Sequence, residues 1–194
     1  RDDNIVILAS EGFPVVEVDI SDDEIKEDEK NTTHALIRGI AAAFRAKGVE
    51  LNGWEANSST KVLKGSGLSS SAAVEVLAAE IFNNLYNNDA FTPVEIAKIG
   101  QFAENVYFGK PSGLLDQTCC AHGGVVGIDF KDNKNPQITP LAVDFSAYGY
   151  SMVITDTKGS HADLTGEYAA VPPEMRDVAK YYGKENLRDV EFGD

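Results

Sequence analysis

The sequence lacks the features of membrane-spanning and secreted proteins. No apolar run approaches the roughly 20 residues that a membrane span needs. The first residues, Arg1-Asp2-Asp3-Asn4, lack the basic-then-apolar order of a signal peptide. The only two cysteines, Cys119 and Cys120, are neighbours, so they offer neither a disulfide framework nor a pair with metal-binding spacing. We therefore expect reduced thiols and a cytoplasmic protein.

Basic residues are also scarce. There are 17 lysines and arginines against 31 aspartates and glutamates, a net charge of −14. This excess repels nucleic acid and anionic membranes, and we expect neither as a partner. A small anion remains possible as a ligand, because backbone N–H groups bind it without Lys or Arg.

Periodicity and turn signals predict an α+β domain with helices on one face of a sheet. Strands are predicted at residues 5–9, 15–19, 50–57, 125–130 and 150–156, and helices at 34–47, 72–87, 92–108 and 174–182. The helix at 72–87 is expected to face inward with Val76, Leu77, Ile81 and Leu85. A capping box and a first-turn proline, Thr92-Pro93-Val94-Glu95, start the helix at 92–108.

A glycine–serine loop runs directly into the helix at 72–87. Its sequence is Gly65-Ser66-Gly67-Leu68-Ser69-Ser70-Ser71. The glycines permit tight turns and close approach of a ligand, and the serines meet the free N–H groups of the helix N-terminus. Neither a Walker A motif nor a dinucleotide-binding fingerprint is present. A serine-capped helix and a phosphate site both fit the pattern, and the triple serine favours the ligand because one serine suffices for a cap.

Two carboxylates follow the loop. Glu104 lies on the helix that starts with the capping box, and Asp116 follows Gly109-Lys110-Pro111-Ser112-Gly113-Leu114-Leu115. The proline, the glycines and the leucine pair are expected to hold Asp116 on a rigid turn beside apolar walls, a setting typical of a catalytic base. Taken singly, Glu104 could be a solvated helix residue and Asp116 a turn residue that bonds its own backbone. Their order after the loop favours a functional site.

These motifs together resemble a known group of enzymes. The loop is similar to the second signature of the small-molecule kinases that include galactokinase, homoserine kinase, mevalonate kinase and phosphomevalonate kinase, in which it wraps the ATP phosphates. Here Leu63 stands where the family usually has a proline. The stretches Ala103-Glu104-Asn105 and Gly113-Leu114-Leu115-Asp116-Gln117 resemble the catalytic segment of the galactokinase family, usually Gly-Ile-Met-Asp-Gln, with Leu115 in place of Met.

The resemblance implies a role for each site residue. Asp116 would take the proton from the sugar C1 hydroxyl, Glu104 and Ser71 would hold Mg²⁺, and the loop from Gly65 to Ser71 would bind ATP. Gly113 and Asp116 would contact the sugar. So would Tyr168, which follows the patch Asp156-Thr157-Lys158, although a half-buried aromatic residue at a loop end also fits that position. After Tyr168 the chain reads Ala-Ala-Val-Pro-Pro instead of the family's Asn and paired arginines.

The resemblance also implies the domain organisation. Residues 1–155 would form a truncated N-terminal ATP-loop domain of the ribosomal protein S5 domain 2-like type, and residues 156–194 a linker and the start of a second α+β domain. The family's Gly-Glu-His-Thr-Asp-Tyr signature and its third, glycine-rich signature do not occur in the sequence. We therefore expect a fragment that does not catalyse the reaction on its own.

Three functions remain open at this point. The first is ATP-dependent phosphorylation of galactose at C1. The second is phosphorylation of another substrate of this group, such as N-acetylgalactosamine, arabinose or mevalonate. The third is a sugar sensor that keeps the kinase fold without turnover, because fold does not fix function. The presence of both Asp116 and Glu104 favours an enzyme.

Overall fold

The computed structural model describes residues 1–62, 67–132, 134–155, 165–191 and 193. It contains five strands, five α-helices and one π-helical segment in these ranges, an α+β fold as predicted. Short 3-10 turns occur at Glu27–Glu29, Ser146–Tyr148 and Leu187–Asp189. No helix among the described residues is both long and apolar enough to cross a membrane.

A three-stranded sheet forms one side of the core. Its central strand β1 (Ile5–Ser10) pairs antiparallel with β2 (Val16–Asp19) and parallel with β3 (Glu55–Ser58), in the order β2-β1-β3. Val6 and Leu8 alternate with less buried neighbours and point into the core. The predicted strand at 50–57 is shorter than expected and begins after the buried Trp54.

Four helices pack beside this sheet: α1 (Thr33–Ala46), α2 (Ser70–Asn87), α3 (Pro93–Phe102) and α4 (Leu115–His122). Helix α1 contacts β2, α2 and α3 pack on α1, and α4 packs on α2 and α3. The capping box at Thr92 and Glu95 is confirmed, and Pro93 occupies the first turn of α3. The chain leaves α1 at Gly48, which has a φ of 84°, the left-handed conformation predicted for a glycine after a helix end.

The core lies between these helices and the sheet. Phe44 of α1 packs on Phe82 of α2 and on Phe91, with ring centroids 5.8 and 5.2 Å apart, and Trp54 meets Phe82 edge-on at 5.6 Å. The apolar face predicted for α1 is buried throughout: Leu36, Ile37, Ile40, Ala41 and Phe44.

The inward face predicted for α2 is partly wrong. Val76 is buried and Ile81 partly so, but Leu77 and Leu85 are exposed. Two polar residues of α2, Glu75 and Asn83, are buried instead. Both have partners that the local sequence does not reveal, because the Asn83 side chain bonds the backbone of Phe91 and Glu75 bonds Gln117.

The second half of the chain departs most from prediction. Strand β4 (Val125–Asp129) is confirmed, but it pairs with β5 (Gln137–Leu141), which was not predicted. This strand contains Pro140, a residue that is uncommon inside strands. The strand predicted at 150–156 is wrong for residues 150–155, which are exposed and not in a strand, and Asp156 lies outside the described residues. Helix α5 (Thr165–Tyr181) begins nine residues earlier than predicted and includes two prolines.

Candidate active site

The glycine–serine loop delivers serines to the start of α2. Gly67 has a φ of 78°, so the tight turn predicted for a glycine is present there, whereas Gly65 and Ser66 lie outside the described residues. Ser69, the residue before α2, is also left-handed, with a φ of 56°, which is a strained state for serine. Its side chain makes no capping hydrogen bond among the described residues. Ser69 is therefore not an ordinary helix cap. The backbone N–H groups at the start of α2 are available as donors to another partner.

Ser71 and Glu104 meet at the start of α2. The hydroxyl of Ser71 donates to Glu104 Oε1 over 2.9 Å. Glu104 is only 2% exposed, so it is not the solvated helix residue that was considered. The two residues expected to share a Mg²⁺ ion are thus brought into contact.

A π-helical segment, Ala103–Phe108, continues α3 and carries Glu104. The N–H groups of Gly109 and Lys110 both donate to the Glu104 carbonyl, at 3.0 and 3.1 Å. Gly109 ends the segment with a φ of 86°. Such wide turns are frequent at functional sites, and here the turn folds the following loop back onto the residue that carries the carboxylate.

The Glu104 carboxylate has a cationic neighbour. The ammonium of Lys110 lies 3.1 Å from Oε1, the same oxygen that accepts from Ser71. The Lys110 side chain is 39% exposed. A buried carboxylate is thereby paired with a cation that reaches solvent.

A second buried carboxyl group, which the sequence analysis missed, lies behind this pair. The amide nitrogen of Gln117 donates to Glu75 Oε2 and to Glu104 Oε2, each over 2.9 Å. Glu75 and Gln117 are both fully buried. The signal was available for Glu75, because it stands four residues after Ser71 and therefore on the same face of α2.

The pKa of Glu75 is raised from 4.5 to about 8, mainly by burial and also by the charge of Glu104, while the Gln117 hydrogen bond and Lys110 oppose the shift. Glu75 Oε1 and Gln117 Oε1 have no hydrogen-bond partner among the described residues. A pKa of about 8 favours the protonated form of Glu75 at neutral pH.

Asp116 lies in the first turn of α4 and is exposed. Its loop is fixed from α3 and the π segment, because Asn105 accepts from the Ser112 N–H and Gln101 donates to the Ser112 carbonyl. The apolar walls expected around Asp116 are only half present, since Leu114 is buried but Leu115 is 52% exposed. The adjacent Gln117 links the helix of Asp116 to Glu104.

The residues predicted to contact the sugar are exposed. Gly113 is exposed in the loop before α4. Tyr168 lies in the first turn of α5 and is 57% exposed, and α5 packs on the turn Leu187–Asp189. The preceding patch, Asp156-Thr157-Lys158, lies outside the described residues. The roles of Gly113 and Tyr168 stay predictions.

The oxygens of Ser71 and Glu104 fit a magnesium ion. Neighbouring ligands of an octahedral Mg²⁺, at about 2.0–2.1 Å from the ion, lie about 2.9 Å apart, which is the separation of Ser71 Oγ and Glu104 Oε1. Among the described residues no group of three or more His, Cys, Asp or Glu forms a ready metal cage. Mg²⁺ suits such a sparse site, because it usually takes one or two protein ligands and completes its shell with water and phosphate oxygens.

Comparison with known proteins identifies the fold. Residues 35–124, which include the loop, both buried carboxyl groups and Asp116, match the family model for the GHMP kinases N terminal domain. These residues belong to the GHMP kinase family. The chain is 34% identical to a galactokinase of Streptomyces coelicolor over 197 residues, covering 100% of the chain and 50% of the relative. It is 37% identical to a galactokinase of Clostridium tetani over 163 residues, 84% of the chain and 41% of the relative.

A solved galactokinase structure also resembles the fold of this chain. The crystal structure of Lactococcus lactis galactokinase complexed with galactose matches with a TM-score of 0.68 and 25% identity, over 100% of this chain and 49% of that chain. The chain therefore spans about half the length of the relatives that it matches.

Proposed function

We propose that the protein to which this chain belongs is a galactokinase, which transfers the γ-phosphoryl group of ATP to the C1 hydroxyl of galactose and forms galactose 1-phosphate. The observation that carries the proposal is the contact between Ser71 and Glu104 beside the glycine–serine loop. Similarity to galactokinases along the whole chain supports it. Residues 1–155 would be the ATP-loop domain and residues 156–194 the linker and the start of a second domain.

In this proposal the loop Gly65–Ser71 binds the ATP phosphates. Backbone N–H groups at the start of α2 donate to phosphate oxygens, and the positive end of the helix dipole faces them. The left-handed Gly67 and Ser69 turn the backbone so that Ser70 and Ser71 stand in the first turn of α2. This explains how an acidic chain accommodates a polyanion without a basic patch.

Ser71 and Glu104 would hold Mg²⁺. The bound ion would neutralise charge on the phosphoryl oxygens. Glu104 keeps its orientation through Gln117, which donates to Oε2 and leaves Oε1 facing Ser71. The role of the protein is to hold these oxygens ready, because phosphoryl transfer depends mainly on positioning and electrostatics.

Asp116 would accept the proton from the C1 hydroxyl of galactose as the hydroxyl oxygen attacks the γ-phosphorus of ATP. Its exposed carboxylate can reach a substrate, and the loop bonds at Ser112 limit its movement. Gly113 and Tyr168 would contact the sugar. A cytoplasmic location, and the absence of nucleic-acid and membrane partners, stay predictions.

An assay on the full-length protein tests the proposal. We expect ATP- and galactose-dependent release of ADP, with galactose 1-phosphate as the product in ³¹P spectra. Turnover of N-acetylgalactosamine, arabinose or mevalonate but not galactose would assign another kinase of the group. Galactose binding by calorimetry without ADP release would instead indicate a sensor. The 194-residue chain alone is expected to be inactive, because it lacks the Gly-Glu-His-Thr-Asp-Tyr segment.

A further inference from the structure

Lys110 occupies the metal side of the Glu104 carboxylate. Glu104 Oε2 is used by Gln117, while Oε1 accepts from both Ser71 and Lys110. The ammonium therefore lies on the one oxygen that a divalent ion would share with the Ser71 hydroxyl. We propose that Lys110 competes with the divalent ion for Glu104, and thereby sets how tightly this site holds Mg²⁺. The proposal rests on the metal site of the proposed function.

The Lys110 ammonium stabilises the Glu104 carboxylate when Mg²⁺ is not bound. Glu104 is 2% exposed, and a buried carboxylate without a counter-charge is costly. The ion pair with Lys110 supplies this counter-charge.

The geometry of the Lys110 side chain allows Mg²⁺ to displace it from Glu104. Lys110 follows Glu104 by six residues, and its own N–H donates to the Glu104 carbonyl, so the side chain returns to the residue that anchors its backbone. Glu104 is buried and held by Gln117, but the Lys110 side chain is 39% exposed. When a divalent ion binds, its positive charge repels the Lys110 ammonium, which is free to move into solvent.

Three variants of the full-length protein test the competition. Lys110→Met keeps the length of the side chain and removes its charge, Lys110→Arg keeps the charge, and Lys26→Met is the matched control. Lys26 is similarly exposed, 34% against 39%, but its partner is Asp22. Binding of Mn²⁺ alone, without nucleotide, is measured by titration of the free-ion EPR signal and checked by the rise in melting temperature with MgCl₂.

We expect the Mn²⁺ dissociation constant of Lys110→Met to fall roughly fivefold or more, an ordinary coupling between two sites. Lys110→Arg and Lys26→Met should stay close to wild type. Without metal, Lys110→Met should melt at a lower temperature, because Glu104 loses its counter-charge. With saturating MgCl₂ this difference should shrink or reverse. Adding Glu104→Gln to Lys110→Met should abolish the gain.

Wild-type or weaker Mn²⁺ binding by Lys110→Met would overturn the proposal. If Glu104→Gln alone loses binding at the same time, the metal site of the proposed function still stands. Unchanged binding in Glu104→Gln would remove the metal site itself, and the role of Lys110 with it. Absence of measurable binding in both wild type and Lys110→Met would also overturn the competition.

Discussion

The hydroxyl of Ser71 lies 2.9 Å from Glu104 Oε1, although the two residues are 33 positions apart in the sequence. Ser71 stands in the first turn of α2, and Glu104 stands in the π segment that extends α3. The contact therefore joins the glycine–serine loop to the segment that leads to Asp116. It places the two proposed metal ligands together.

Removing either member of this pair should raise the requirement of the full-length enzyme for Mg²⁺. Ser71→Ala and Glu104→Gln each delete one oxygen ligand. We expect metal affinity or activity to fall by at least the roughly 10–100-fold that is typical when a residue supporting a metal ligand is lost. Galactose binding, measured by calorimetry without nucleotide, should be largely unchanged. Ser146→Ala is the control, because Ser146 also donates to a carboxylate, Asp144, but outside the site. An equal loss of sugar and metal binding would assign the pair a purely structural role.

Asp116→Asn should abolish most of the catalysis without unfolding the protein. Loss of a general base typically lowers kcat by about 10²–10⁴-fold. Asp116 is exposed, so the free energy of unfolding should change by less than about 0.5 kcal/mol. Steady-state kinetics and urea denaturation measure the two effects, with the exposed Asp177→Asn as control. Wild-type kcat in Asp116→Asn would rule out the base.

Local signals predicted the elements but not the polar contacts between them. The capping box at Thr92, the glycine after α1 and the apolar face of α1 are all properties of neighbouring residues, and all are confirmed. The burial of Glu75 is different, because its partner Gln117 is 42 residues away. Apolar periodicity places leucines inward and glutamates outward, so it assigned Leu77 and Leu85 to the wrong side of α2.

The candidate site was predicted in part for the same reason. Ser71, Glu104 and Asp116 were found by the order of motifs along the chain, and the structure brings the first two into contact. Lys110 and Gln117 lie in the segment that leads to and follows Asp116, but their contacts with Glu104 depend on the π-helical segment. No local sequence pattern predicted that segment. The exposure of Leu115 likewise depends on how α4 packs, and sequence alone gave no measure of it.

Glu75 should make the stability of the protein fall as pH rises. Its pKa is raised from 4.5 to about 8 by burial and by Glu104, with Lys110 opposing and Asp116 adding to the shift. Between these two values the folded protein keeps a proton that the unfolded chain has lost. The free energy of unfolding therefore decreases with pH, by up to about 1.4 kcal/mol per pH unit, and levels off above about pH 8.

Glu75→Gln removes this titration and keeps a side chain of the same shape. Its free energy of unfolding, relative to wild type, should rise between pH 5 and pH 8 as the cost of burying Glu75 disappears, by up to about 1.4 kcal/mol per pH unit. Urea denaturation at several pH values in this range gives the comparison. Glu95→Gln is the control, because Glu95 is a partly exposed capping residue whose pKa is lowered. Parallel profiles for wild type and Glu75→Gln would show that Glu75 is ionised in the folded protein.

Gly39 should be required for the close approach of α1 to the π segment. A Cβ atom on Gly39 would lie 2.9 Å from the Cα and Cβ atoms of Ala103 and from Tyr107 Cδ2, closer than real carbon contacts allow. Gly39→Ala gains helix propensity of about 0.5–1 kcal/mol, but overpacking costs about 1–3 kcal/mol, so the net effect should be destabilising. Gly166→Ala is the matched control, because Gly166 also lies in a helix, but among the described residues no packing neighbour lies within 4 Å of its added Cβ. That variant should be neutral or stabilised by up to about 1 kcal/mol.

Gly39→Ala also tests whether the packing of α1 affects the position of the proposed metal ligand Glu104. Ala103 immediately precedes Glu104, so we expect a displacement of Ala103 by the new methyl group to disturb the contact between Glu104 and Ser71. We expect Gly39→Ala in the full-length enzyme to need more Mg²⁺ for half-maximal activity, at temperatures where the variant is still folded. The Mg²⁺ dependence of Gly166→Ala should match wild type. Loss of stability in Gly39→Ala with a wild-type Mg²⁺ dependence would show that the π segment absorbs the displacement before it reaches Glu104.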